Sequence, residues 1–75
     1  MENVSGWIRR VAIGDNFTTF VIQLDGGGYG HTYTGPRYRN YSLWRDLMIG
    51  DHIGGLRWKD KNRGIVDADS FAHLL

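Results

Sequence analysis

The regular return of turn signals between short alternating segments is the feature that most limits the fold of this chain. Val4–Ile13, residues 17–24 and Tyr29–Thr34 alternate apolar with polar or small residues and are rich in β-branched and aromatic side chains. Residues 14–16 and 25–28 separate these segments and hold glycine, aspartate and asparagine, which favour turns. Several strands at such short spacing are typical of a small β-sandwich or barrel.

The second half of the chain begins with a predicted short helix. Pro36 lacks the amide donor that a sheet needs, so it ends the third strand. Asn40 or Ser42 is suited to cap a helix of about two turns, a length that depends on packing, and Gly50 is suited to end it. The apolar side of this helix consists of Leu43, Trp44, Leu47 and Met48. We expect the helix to close one end of a barrel.

Two further strands are predicted after the helix, over residues 52–58 and 65–71. Residues 54–55 are both glycine and predict a bulge or a sharp coil inside the fourth strand. Gly6 interrupts the first strand, which predicts a bend or a close approach of two backbones there. Residues 59–64 form a polar turn between the last two strands.

The length of the chain predicts one domain, residues 1–75, with a small core. A chain of this size buries only about 60% of the surface that it exposes when unfolded. It contains no cysteine, which excludes disulfides and thiolate metal sites. Its histidines, His31, His52 and His73, lack the short spacing of metal ligands. We therefore predict no metal and no other cofactor, and a core made of aromatic and aliphatic side chains.

The order β-β-β-α-β-β resembles the plan of the OB-fold, the oligonucleotide/oligosaccharide-binding barrel. The run from Val4 to Ile8 is similar to the first strand of the anticodon-binding OB domains of some tRNA synthetases, and the run from Gly50 to Ile53 resembles the strand entry after the helix of small barrels. The resemblance covers nearly the whole chain. It implies an all-β fold, a five-stranded OB-fold-like Greek-key barrel with one short helix between strands 3 and 4. An SH3-like small barrel is the alternative, and the helix before the fourth strand disfavours it.

Groups that could perform catalysis are scattered along the chain. A nucleophile needs a base, and the base needs an orienting partner. His52 follows Asp51 at the start of a strand, where a surface histidine is the ordinary interpretation. Asp67 and Asp69 are expected on one face of the last strand, where charge protects a sheet edge against pairing with another chain. We therefore predict a non-enzymatic protein without catalytic residues.

Basic charge is concentrated in the middle of the chain. The formal charge is −1 over residues 1–34, +4 over residues 35–63 and −2 over residues 64–75. Seven of the nine basic residues are arginine, whose planar fork suits phosphate and carboxylate groups. The net charge of the whole chain is only +1, so the charge by itself fits an ordinary solvated surface equally well.

The resemblance to OB domains implies a ligand site across strands two and three, flanked by the loops that follow strands one and four. Proteins that hold single-stranded nucleic acids combine rings for base stacking with cations for phosphates. Both types of side chain occur at these positions and beside them. We predict a nucleic-acid site formed by Trp7, Arg9, Tyr29, Tyr33, Arg37, Tyr38, Arg39, Trp58, Lys59, Lys61 and Arg63.

Large rings are also needed to fill the core of so small a barrel, and Trp7, Trp44 and Phe20 suit that role. We expect Trp44, together with Leu43, to pack the helix on the barrel. Tyr33, Tyr38 and Trp58 have polar or basic neighbours and are expected at the surface.

These patterns predict a protein that binds single-stranded DNA or RNA with little sequence preference. The alternative is a small protein-interaction adaptor or an inhibitor module of the kind that phages and plasmids carry, because tyrosine, tryptophan and arginine also anchor protein interfaces. The absence of cysteine and of a signal-peptide or membrane-span pattern predicts a cytoplasmic protein that contacts no membrane. The small core predicts a homo-oligomer.

Overall fold

The computed structural model describes residues 3–70 of the chain, and the backbone of residues 72–73. Its strands are β1 (Val4–Ile13), β2 (Thr18–Leu24), β3 (Tyr29–Thr34), β4 (His52–Asp60), β5 (Ile65–Asp67) and β6 (Ala72–His73). The short helices are α1 (Tyr41–Trp44) and two single 3-10 turns, Lys61–Arg63 and Ala68–Ser70. The predicted bounds of β1 and β3 are confirmed, and β2 and β4 differ from prediction by one or two residues at one end.

Five strands close into a barrel in the order β1-β2-β3-β5-β4, with β4 returning to β1. All neighbours are antiparallel except β3 and β5, which are parallel. The chain leaves β3, passes through α1 and enters β4 one place further on, so that β5 later fills the gap between them. This crossing makes the barrel a Greek key. The predicted all-β, five-stranded OB-fold-like barrel is confirmed.

The core follows the alternation in the sequence. The apolar side chains that are almost or completely without solvent contact come from four strands and α1: Ile8, Phe20, Ile22, Trp44, Ile53, Leu56 and Val66. The strand β3 adds the equally buried Thr32 and Thr34. Trp44 closes one end of the barrel, because its ring lies 5.0 Å from that of Phe20 and its Nε1 donates a hydrogen bond of 2.8 Å to the carbonyl of Ala68. The predicted core role of Trp44 is confirmed.

Glycine allows β1 to pass between two partners. Gly6 pairs with Leu24 on one side and with Ile53 on the other. A Cβ at Gly6 would lie 2.3 Å from the backbone oxygen of Gln23, so only glycine allows this approach. Gly55 has a φ of +68°, and the β1–β4 register shifts beside it. The predicted close approach and bulge are both confirmed.

A second bulge, in β1, turns two consecutive arginines outward. The pairing with β2 moves from Ile8↔Ile22 to Arg10↔Val21, which leaves Arg9 as the extra residue. Both arginines are exposed, and Val11 returns to the core side. Bulges re-aim the side chains of a strand in this way. The outer surface of β1 therefore carries two guanidinium groups side by side.

The structure corrects the predicted helix. α1 is one turn long, and no side chain caps its first turn. The Asn40 amide instead donates hydrogen bonds to the carbonyls of Ala68 and Asp69. Leu43 is 50% exposed and Met48 is 70% exposed, so the prediction of a core position was wrong for Leu43. After one turn the chain bends to enter β4, which leaves no second turn to carry these side chains to the barrel.

The structure also corrects the last predicted strand, because β5 ends at Asp67. The carboxylate of Asp67 accepts a hydrogen bond from the Asp69 amide, and Ser70 Oγ donates to the carbonyl of Asp67. These local bonds compete with the sheet ladder and close a 3-10 turn. Asp67 and Asp69 therefore do not share a strand face. Phe71, which the prediction placed in this strand, lies outside the described residues.

Candidate nucleic-acid interface

The outward side chains of β1, β2 and β3 form one continuous surface, called here the β1–β3 face. The strand register sets them in three cross-strand rows: Ala12, Thr19 and Tyr33; Arg10, Val21 and His31; Trp7, Gln23 and Tyr29. Arg9 joins the third row, because its Nε donates a hydrogen bond of 2.6 Å to Gln23 Oε1. The predicted residues Trp7, Arg9, Tyr29 and Tyr33 thus lie on one surface.

Three rings meet at one end of this face, and we call Phe17, Tyr33 and Tyr38 the aromatic cluster. Their ring centroids are 5.6 to 6.2 Å apart, and each pair meets edge to face. The Lys59 Nζ lies over the Tyr33 ring at 5.7 Å, a distance at which the ring's negative face attracts an ammonium group. The structure brings together Tyr33, Tyr38 and Lys59, which belong to three separate segments of the sequence.

The basic turn between β4 and β5 lies against β3. The amide of His31 donates a hydrogen bond of 2.9 Å to the carbonyl of Gly64, which ends this turn in a left-handed conformation. The Asp60 side chain caps the turn, accepting from the Arg63 amide, and its other oxygen lies 3.6 Å from Arg63 Nε. Lys61 and Arg63 are both exposed. The hydrogen bond between His31 and Gly64 therefore sets this turn beside the middle of β3.

The three rings expected at the surface, Tyr33, Tyr38 and Trp58, are all half-buried. Trp58 also packs against the core cluster. Gly30 lies beside it, since a Cβ at Gly30 would meet the Trp58 ring at 3.6 Å. The expectation of a surface ring is therefore corrected. A lysine follows Trp58, but a strand sends consecutive side chains to opposite faces, so a polar neighbour does not make a residue exposed.

The two remaining arginines of the predicted site lie on the chain between β3 and α1. Arg37 lines a cleft next to Tyr38. Arg39 is exposed, and among the described residues no side chain joins it to the aromatic cluster.

Arg10 and Phe17 lie on this surface, but the prediction from the sequence did not include them. The paired arginines in a strand were the signal for the first, and the position of Phe17 directly after a turn was the signal for the second.

A separate network occupies the far edge of the face. The Trp7 ring stacks on His52, with centroids 4.3 Å apart and planes at 19°. His52 Nε2 lies 2.8 Å from Asp25 Oδ2, and Ser5 Oγ donates a hydrogen bond of 2.7 Å to the same oxygen. This arrangement fixes the orientation of Trp7, which is 41% exposed.

Ser5, Asp25 and His52 are not arranged as a catalytic triad. In a triad the histidine lies between the nucleophile and the carboxylate, so that it can take the proton of the nucleophile. Here the carboxylate of Asp25 lies in the middle and binds both other groups. The prediction of a non-enzymatic protein stays a prediction. Within residues 3–70 and 72–73, no cluster of three or more potential ligands is placed to hold a metal ion.

The Asp25 carboxyl has a pKa below its ordinary value of 3.8, chiefly because Ser5 donates a hydrogen bond to it and secondly because His52 does. A lowered pKa in the folded state stabilises the fold above the unfolded pKa, and this stabilisation is lost as the pH falls through the lowered value. We expect Ser5→Ala to raise the pKa of Asp25 toward 3.8 in a carbon-13 NMR titration of its carboxyl carbon. Ser42→Ala on α1 is the control, and equal midpoints for the wild type and Ser5→Ala would contradict the assignment.

No protein-family model, no curated protein and no solved structure matches this chain. In the part of the chain that the structure describes, no helix combines the length and the apolar character that crossing a membrane requires.

Proposed function

We propose that the protein binds single-stranded DNA or RNA, with bases stacked on the β1–β3 face and the aromatic cluster and with phosphates held by the surrounding basic residues. The observation that carries the proposal is the position of Lys59 over Tyr33. It joins the basic segment of the chain to the aromatic strand. A ring and a cation in contact are the two groups that a nucleotide needs from a protein surface.

The spacing along β3 supports the same proposal. Tyr29 and Tyr33 point outward from one strand and lie four residues apart, which corresponds to roughly 13 Å at the rise of a β-strand. A row of rings at this spacing offers successive stacking positions to an extended strand. Arg9 and Arg10 lie on β1, two strands from β3 across β2, and Lys61 and Arg63 lie on the turn at the opposite edge of β3. Cations therefore flank the rings on both sides, where the two edges of a nucleic-acid strand would run.

The proposal is tested by titrating the protein into a fluorescently labelled oligothymidine of 12 nucleotides, within the roughly 4–16 nucleotides that one OB fold covers. The anisotropy is followed at about 50 mM salt and then at rising salt. We expect binding that weakens steeply as salt increases, because phosphate contacts release counterions. An anisotropy that stays constant up to about 100 μM protein at 50 mM salt sinks the proposal, because ordinary non-specific dissociation constants are about 1–100 μM at physiological salt and lower at 50 mM salt.

Two substitutions test the contribution of the Tyr33 ring and that of the Lys59 charge independently. Tyr33→Leu keeps an apolar side chain but removes the ring, and we expect it to weaken binding about tenfold, since one base–ring stack contributes about 1–3 kcal/mol. Lys59→Gln keeps a polar side chain and removes the charge, and we expect the salt slope to fall by roughly 0.7 for one lost phosphate contact. Arg45→Ala is the matched control, because Arg45 is an exposed cation on the turn after α1, beside Asp46. Equal slopes for Lys59→Gln and Arg45→Ala would exclude a phosphate contact at Lys59.

The adaptor role stays the alternative prediction. It would be favoured if the protein failed to bind the oligothymidine but retained one partner from a nuclease-treated lysate. A cytoplasmic location and a homo-oligomer also stay predictions.

A further inference from the structure

An open cleft of 660 Å³ lies next to the aromatic cluster, between the β1–β2 turn and the turn that follows β3. Its volume lies within the roughly 300–1,000 Å³ of small-ligand sites. The lining residues are Asp15, Asn16, Phe17, Gly35, Pro36, Arg37 and Tyr38. Most of them lie outside the nucleic-acid site that the sequence predicted.

The walls of the cleft are held by backbone contacts. The Gly14 amide donates to the Phe17 carbonyl at 2.8 Å, and the Tyr38 amide donates to the Gly35 carbonyl at 2.9 Å, so each turn is closed by its own hydrogen bond. A Cβ at Gly35 would lie 2.5 Å from the backbone oxygen of Asn16, which shows how closely the two turns approach. The cleft is therefore formed before any ligand arrives.

The lining combines apolar and polar groups in a way that suits one nucleotide. Phe17 and Tyr38 supply rings, and Arg37 supplies a cation for a phosphate. Asp15 and Asn16 supply a carboxylate and an amide. No hydrogen bond or ion pair joins the side chains of Asp15, Asn16 or Arg37 to another residue in the described part of the chain. These groups therefore keep their hydrogen-bonding capacity for a ligand.

The carboxylate decides which base fits best. An ionised aspartate only accepts hydrogen bonds, and its two oxygens can accept from two adjacent N–H groups at once. Guanine is the nucleobase that offers two adjacent donors, N1–H and N2–H, on its Watson–Crick edge. Adenine and cytosine set a ring-nitrogen acceptor beside their amino group, and thymine and uracil flank their single N–H with carbonyl oxygens. A carboxylate that faces the Watson–Crick edge of any of these four bases therefore lies beside an acceptor of the base, which repels it.

We propose that the cleft is a guanine subsite at one end of the nucleic-acid surface. The base lies against Phe17 and Tyr38, the carboxylate of Asp15 accepts from its N1–H and N2–H, and Arg37 holds a phosphate. This inference rests on the proposed binding of single strands and adds a base preference to it. The β1–β3 face binds all bases alike, whereas the cleft prefers one base.

The test compares three labelled oligonucleotides of equal length by anisotropy at about 50 mM salt: oligothymidine, the same strand with one central guanine, and the same strand with one central adenine. We expect the guanine strand to bind at least about fivefold more tightly than the other two, as two-point base contacts provide. Asp15→Asn offers one donor and one acceptor, so it should abolish that ratio. Asp15→Asn also removes a negative charge, which changes the affinity for every strand. The quantity to compare is therefore the ratio of the affinity for the guanine strand to that for the other two strands.

The control is Asp46→Asn, which makes the same charge change at an exposed residue after α1 and should keep the preference for guanine. Equal binding of the three strands by the wild type, or an unchanged ratio in Asp15→Asn, overturns the guanine subsite and leaves the proposed function in place. If none of the strands binds, the proposed function and the subsite both fail. Binding of the guanine strand alone supports the subsite, whereas the proposed function fails in the form that the oligothymidine titration tests.

Discussion

Replacing Trp44 with alanine is expected to lower the free energy of unfolding by about 4 kcal/mol, within the range measured for large buried rings. Trp44 has no solvent contact, packs on Phe20 and donates a hydrogen bond to the carbonyl of Ala68. A domain of 75 residues has a total stability of only about 4–11 kcal/mol. The substitution is therefore expected to remove a large part of it, as measured by urea unfolding followed by circular dichroism.

The matched control comes from the same helical turn. Leu43→Ala removes an apolar side chain that is 50% exposed, so the loss should stay within about 1 kcal/mol. Trp44→Phe keeps most of the ring but leaves the Ala68 carbonyl with only the longer hydrogen bond from Asn40, which should cost about 1 kcal/mol. If Trp44→Ala and Leu43→Ala unfold at the same urea concentration, the assignment of Trp44 as the closing residue of the barrel is wrong.

Replacing Gly6 with alanine is the second substitution with a large expected effect. The added Cβ would lie 2.3 Å from the Gln23 oxygen and 2.8 Å from Ile22 Cγ2. The first of these atoms belongs to the backbone of β2, so relief requires the two strands to separate. We expect a loss of about 3 kcal/mol, at the upper end of overpacking costs, measured as a lower melting temperature.

Gly26→Ala makes the same chemical change where there is room. A Cβ at Gly26 would meet no atom within 4 Å, and the residue does not need a positive φ. Alanine there reduces the freedom of the unfolded chain, so the variant should be as stable as the wild type or more stable by about 0.4–1 kcal/mol. A similar loss in both variants would mean that β1 does not approach β2 at Gly6 as closely as the structure indicates.

The alternation of residues predicted the barrel because each strand has one buried and one exposed face. Ile8, Phe20 and Ile22 follow this period, and Gly6 marked the crossing of two backbones. The helix was predicted too long because the i, i+4 spacing of Leu43 with Leu47 also fits one turn followed by a bend. Spacing along the sequence does not say where the chain must leave the barrel end to reach β4.

The candidate site was less predictable than the fold. The meeting of Lys59 with Tyr33 depends on β5 lying between β3 and β4, which is a property of the whole topology. The cleft depends on the approach of two turns at Gly35, which local sequence patterns do not encode. Trp58 shows the opposite error, since the basic residue after it suggested exposure although its own strand face points inward.

The seam between β3 and β5 has a consequence for how ligand binding and stability are linked. These strands share a single registered pair, His31 with Ile65, whereas β2 and β3 share six. Local opening of the barrel is expected first between the two strands that share the fewest registered pairs. This seam runs between the Tyr33 side and the Lys61–Arg63 side of the proposed surface. A nucleic-acid strand that contacted both sides of the seam would hold β3 and β5 together. Its binding would then favour the closed barrel by mass action, and amide hydrogen exchange at His31 would slow as the ligand concentration rises.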